Sequence, residues 1–187
     1  MSALKLDPQA TVVVVVDIQD RLFSAMPELA GNDLVRAGTV LLEAARLLGG
    51  EAIATEQYPE KLGGTLAALG EKLDLLSAPR ISKLDFSACS EPAFETALGR
   101  TARRKAVVIG METHICVFQT VRDLCARGFI VHVPIDGVAS RRDDHRTAGL
   151  ELCRAAGAHI TTVETIVFDW LGRAGSDNFK KLSKLIK

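Results

Sequence analysis

The sequence predicts an α/β protein: a mainly parallel sheet, doubly wound, with helices on both faces in three layers. Three observations carry this. "TVVVVVD" (11–17) is a continuous β-branched run, the mark of a strand buried on both faces. Short apolar strands then alternate with helical patterns along the chain, which calls for right-handed crossovers and parallel pairing. At 187 residues, with 48% hydrophobic and 25% charged residues, the chain fits one domain over residues 1–187.

The elements follow in order. After the first strand, residues 32–48 read as a helix, with Leu34, Leu41, Leu42, Ala45 and Leu48 on one face and Gly49-Gly50 as its stop. "EAIAT" (51–55) is the second strand, and "EQYPEKLGGT" is a loop by its Pro and paired Gly. "RISK" (80–83) is the third strand. Residues 92–98 form a short helix with Pro92 in its first turn and Gly99 after its end. "KAVVIG" (105–110) is the fourth strand. The helix after it carries Val117, Val121, Leu124 and Cys125 on one side and ends before Gly128. "FIVHVP" (129–134) is the fifth strand. "SRRD" (140–143) has a capping-box pattern and opens a helix that ends near Gly157. "HITT" (159–162) is the sixth strand, and two short helices complete the chain.

Composition narrows the function classes. Net charge is zero, from 23 basic and 23 acidic residues, so neither a nucleic-acid partner nor a membrane surface is expected. No stretch has the length of a membrane span, and "VVVVV" (12–16) is too short for a signal-peptide core. The four cysteines show neither CxxC nor finger-like spacing, so no disulfide framework or zinc site is indicated, and free thiols suit a cytoplasmic location. No GxGxxG or GxxxxGK[ST] is present, which disfavours nucleotide binding. The four histidines show no HExxH or paired ligand spacing.

In a doubly wound sheet, ligands bind beyond the carboxyl ends of the strands. Asp17 ends the first strand, Lys83 ends the third, and the fourth leads to Cys116. Each alone has an ordinary reading: a turn residue, a solvated cation, a buried thiol. Brought to one edge, they are a base, a cation and a nucleophile. Thr113 as a helix cap would put Cys116 in the first turn, where the dipole and a nearby Lys83 favour a thiolate. Asp17 is suited to take the thiol proton and pass it to a leaving amine. Backbone amides between Gly110 and Cys116 are suited to hold an oxyanion. The expected chemistry is acyl transfer to Cys116 followed by hydrolysis. His114 stands too close in sequence to pair with the thiol, Cys89 has no charged partner placed for it, and Cys125 and Cys153 read as packing residues.

The segments "VVVVVDIQDRLF", "ATEQYPEKLGGT", "RISKLDFSAC", "VVIGMETHICVFQTVRDLCARGFIVHVPIDGVASR" and "DNFKKLSKLIK" together resemble the isochorismatase-like cysteine hydrolases over nearly the whole length. The "TEQYPEKLGGT" loop and the ending are most similar to the isochorismatase domain-containing branch. The resemblance implies six parallel strands in the order 3-2-1-4-5-6 and an Asp-Lys-Cys triad matching Asp17, Lys83 and Cys116. It implies a cis peptide at Met111-Glu112, an oxyanion hole from the amides of Glu112 and Cys116, and a pocket lined by Gln19, Leu22 and Tyr58. True isochorismatases lack the cysteine, so Cys116 implies amide-type chemistry. Nicotinamidases carry an Asp-x-His metal motif where this chain reads "TEQY", so no metal or other cofactor is expected. The expected substrate is a small amide or related acyl compound, and the expected assembly is a homo-oligomer. A redox-sensing or binding protein with a reactive thiol, or a non-catalytic scaffold, are the alternatives.

Overall fold

The five consecutive valines have partners on both sides. In the computed structural model, which describes residues 4–186, they form β1 (Thr11–Val16), every residue of it buried. The other strands are β2 (Glu51–Gln57), β3 (Arg80–Lys83), β4 (Lys105–Met111), β5 (Ile130–Pro134), β6 (Val138–Ala139) and β7 (His159–Thr161). All pair in parallel, in the order β3-β2-β1-β4-β5-β7. The expected order is recovered with one strand added. β5 pairs with β4 at Lys105 to Val107, and β6 then takes over the same side of β4 at Gly110 and Met111. The predicted sixth strand is therefore β7.

Alternation along β1 divides the core between two faces. Val13 and Val15 pack with Leu34 and Leu41 of α2 (Glu28–Leu48), Leu69 of α4 (Ala67–Leu75), Trp170 of α8 (Val163–Leu171) and Leu182 of α9 (Asp177–Ile186). Val12, Val14 and Val16 pack with Phe94 of α5 (Pro92–Thr101), Val121 and Leu124 of α6 (Phe118–Ala126), and Cys153 of α7 (Asp143–Ala155). Burying each such side chain contributes roughly 1.5–3 kcal/mol. The three layers are those the alternation of strand and helix predicts. α1 (Asp20–Phe23) and α3 (Pro59–Leu62) are single turns over the sheet's carboxyl edge.

Several local expectations are corrected. β2 runs on to Gln57, because Tyr58 N–H still bonds to the Lys83 carbonyl at 2.8 Å. The predicted loop then holds α3. α2 starts earlier, after Pro27, and α5 runs through Gly99 to Thr101, closing on Ala102 in the left-handed region. α7 is preceded by Arg142 with no side-chain cap, so "SRRD" is not a capping box. Ser140 is buried and bonds elsewhere, as described below.

Candidate active site

The ends of β1, β2, β3 and β4 meet at one edge, and four polar side chains converge there. Asp17 follows β1 with φ +53°, a left-handed conformation that Asp tolerates better than most residues. Its N–H bonds to the Thr55 carbonyl at 3.1 Å, and its Oδ1 accepts from Thr55 Oγ1 at 2.7 Å. Its Oδ2 lies 2.7 Å from Lys83 Nζ, and both side chains are 0% exposed. Removing two charges from water is costly, so this ion pair stands only with its partners in place. Lys83 Nζ also donates to Gln57 Oε1 at 2.6 Å and to the carbonyls of Asp85 and Phe86, each at 3.1 Å. These three acceptors match the three N–H bonds of an ammonium, and Asp17 Oδ2 is held beside it by charge, without a hydrogen bond of its own.

Cys116 completes the group, with Sγ 4.0 Å from Gln57 Oε1 and its residue 6% exposed. The thiol is pushed up to about 12, first by burial and then by the Asp17 carboxylate; Lys83 pulls it down without offsetting them. Burial and the facing carboxylate thus work against the expected thiolate and favour the thiol, which calls for a base. The helix start differs too. Thr113–Val117 is a π-helical turn preceding α6, in which the N–H groups of Ile115 and Val117 both close on the Glu112 carbonyl. Such turns recur at functional sites. Thr113 is not its cap, for its hydroxyl donates to the Ala139 carbonyl at 2.9 Å and its N–H donates to Ser140 Oγ at 3.1 Å. The Met111–Glu112 peptide is cis, as the resemblance implies.

A second layer holds this turn. Glu112 is 5% exposed, with Oε1 2.7 Å from Arg141 Nε and Oε2 accepting from Arg141 N–H at 3.2 Å. His114 turns toward Ser140, with Nδ1 3.1 Å from Oγ, and its ring centroid lies 4.6 Å from that of His145. Burial holds its imidazole below the usual range, against the opposing pull of Glu112. Gly149 of α7 lets the turn approach, since a Cβ there would stand 2.7 Å from His114 N.

The expected pocket residues divide. Gln19 is buried, and its amide is spent on backbone: Nε2 donates to the carbonyls of Gln57 and Gly63, and Oε1 accepts from Gln57 N–H. It clamps the end of β2 rather than offering a free group to a ligand. Leu22 is half-buried against the core. Tyr58, 41% exposed, lines a cleft of about 560 Å³ beside Lys83, together with Pro59, Glu60, Leu84, Asp85 and Glu91. Leu22 is not among that cleft's lining residues.

Gln57 is the site residue that sequence reasoning missed, because the second strand was expected to end at Thr55, two residues short of it. The available signal was the strand itself, whose carboxyl end lies at this edge with those of its parallel neighbours. Glu56, near the end of β2, is occupied by Thr65, whose N–H and hydroxyl bond to its Oε1 at 2.8 and 2.7 Å. Among the described residues, no group of three or more His, Cys, Asp or Glu is disposed to hold a metal ion. The four cysteines are free, and burial raises Cys89 to about 11 and Cys153 to about 12. Among the described residues, no helix is long and apolar enough to cross a membrane.

Known proteins resemble this chain in sequence and in fold. The isochorismatase domain family model matches residues 11–165. The "Secreted isochorismatase effector Isc1" of Phytophthora sojae is 34% identical over 98% of this chain and 87% of its own. "Isochorismatase domain-containing protein 1" of Salmo salar is 36% identical over 97% of this chain, which spans 62% of that longer protein. Among solved structures, the "MAR1 Ribonuclease" of Caenorhabditis elegans superposes with a TM-score of 0.89 at 34% identity, covering 97% of this chain and 92% of the other.

Proposed function

Because this chain belongs to the isochorismatase family, we propose that it is a metal-independent cysteine hydrolase of a small amide or related acyl compound. The observation that carries the reading is the buried Asp17–Lys83 pair set beside the Cys116 sulfur. Burial and the Asp17 charge keep the thiol un-ionised, so attack requires a base, and Asp17 is the carboxylate close enough to raise it.

In the first step Sγ bonds to the substrate carbonyl carbon as its proton passes to Asp17. The carbonyl π electrons move to oxygen, held by the N–H groups of Glu112 and Cys116. The C–N bond then breaks as Asp17 returns the proton to nitrogen, giving a thioester and an amine. In the second step Asp17 takes a proton from water as its oxygen bonds to the thioester carbon. The C–S bond breaks, sulfur regains the proton, and a carboxylic acid leaves. Lys83 holds Asp17 and tempers the negative charge on sulfur.

Glu60, Asp85 and Glu91 at the cleft would repel a phosphodiester, so the ribonuclease name of the nematode structure is not carried over. Leu84 and Phe86, 69% and 53% exposed beside the cleft, are the apolar surface that a second copy would cover in a homo-oligomer. Four free thiols fit a reducing compartment such as the cytoplasm.

The test is turnover of a library of small amides, following amine release. Hydrolysis by the wild type that falls at least about a hundredfold in both Cys116→Ala and Asp17→Asn supports the reading. Hydrolysis that survives Cys116→Ala refutes it.

A further inference from the structure

We infer that Gln57 is a specificity-determining residue of this site, and that its side-chain oxygen selects substrates bearing an N–H next to the carbonyl under attack: amides over esters. This rests on the cysteine-hydrolase reading and narrows its substrate class.

The orientation of the Gln57 amide is fixed by its neighbours. Nε2 donates to the Leu84 carbonyl at 2.7 Å, so the oxygen must face the other way. Its backbone is fixed as well, with Gln19 bonded to both its N–H and its carbonyl. Oε1 has two acceptor directions. Lys83 Nζ fills one at 2.6 Å, and the other faces Cys116 Sγ at 4.0 Å. The thiol is a weak donor at the far limit of sulfur hydrogen bonding, so this second direction is the under-used acceptor beside the nucleophile.

Proton transfer changes its surroundings. Once the thiol proton has moved to Asp17, the oxygen faces a sulfur with no hydrogen to offer, and two electron-rich atoms oppose each other. A donor placed between them relieves this. A substrate bonded through its carbonyl carbon to sulfur puts its next atom there. An amide nitrogen supplies that donor and an ester oxygen does not. Asp17 Oδ2 and Gln57 Oε1 are both in short contact with the same Nζ, at 2.7 and 2.6 Å. The leaving nitrogen therefore meets its proton source and its acceptor side by side. A site built to bond an N–H rejects the analogue lacking it, because its acceptor is left unpaired.

Acylation of the full chain tests this without requiring a known substrate. Rates for 4-nitrophenyl N-methylcarbamate and 4-nitrophenyl methyl carbonate, which both bond to sulfur through the carbonyl carbon and release nitrophenol, are read from the Cys116-dependent burst of nitrophenol, and their ratio is divided by that for glutathione. The wild type is expected to favour the reagent bearing the N–H about fivefold, the worth of one neutral hydrogen bond. In Gln57→Leu the normalised ratio should fall to about one. Gln57→Glu keeps an acceptor and should retain the wild-type preference, even with slower labelling from a second carboxylate. A wild-type ratio near one, or a preference surviving in Gln57→Leu, overturns the inference. So does equal loss of preference in both variants, which would mark a merely structural role. A preference with no amide turnover in the library would leave the recognition intact and remove the hydrolase reading.

Discussion

Replacing Lys83 by Met tests the buried pair on which the site depends. The change leaves the buried Asp17 carboxylate with the Thr55 hydroxyl and the Cys116 thiol beside it and no opposing charge. Breaking a buried ion pair from one side costs about 3–5 kcal/mol. For a chain of this size each kcal/mol lowers Tm by roughly 2–4 °C, so the expected fall is about 6–20 °C. Urea unfolding at about pH 8 should show the deficit directly. Asp17→Asn combined with Lys83→Met removes both charges and should recover most of the loss. A deficit below about 1 kcal/mol at pH 8, or strictly additive single changes, would refute a buried, mutually dependent pair.

Other consequences are equally open to measurement. With the thiol pushed up to about 12, iodoacetamide labelling at Cys116 should still be rising at about pH 10. Asp17→Asn should shift that rise to lower pH and Lys83→Met to higher pH, and a wild-type plateau near neutrality would contradict the assigned charges. Gly149→Ala brings a Cβ to 2.7 Å from His114 N and 2.8 Å from the Thr113 carbonyl carbon. It should cost about 1–3 kcal/mol in urea unfolding and slow Cys116 labelling, and an unchanged protein would show that the turn is not packed this tightly. Activity on an amide substrate should survive prolonged dialysis against EDTA, whereas loss restored by zinc, manganese or iron would restore the case for a metal-dependent relative.

What could be read in advance was whatever depends on local pattern. The valine run declared a central strand because only burial on both faces tolerates it, and Asp17, Lys83 and Cys116 converge because parallel strands share a carboxyl edge. What could not be read depends on neighbours distant in sequence. β6 is two residues long and exists only as a partner for the end of β4. α4 escaped notice because its Ala- and Gly-containing run lacks a clean apolar stripe and gains its burial from α2. Ser140 has the spacing of a cap, yet its hydroxyl receives the Thr113 N–H across the fold. The thiolate expectation failed on magnitude: a helix start and a lysine favour ionisation, but burial and the facing carboxylate outweigh them. Gln57 read as a loop residue, and only the fold extends β2 to it and sets its oxygen between Lys83 and Cys116.

The central claim is that Cys116 forms a thioester with the substrate's acyl group. Intact mass spectrometry after rapid acid quench of enzyme mixed with a hydrolysed amide measures this directly. The account predicts a mass increase equal to the acyl group, mapped to the peptide holding Cys116, removed by hydroxylamine and absent in Cys116→Ala. Turnover of that amide with no adduct on Cys116 under any quench time, and with Cys116→Ala still active, would contradict it.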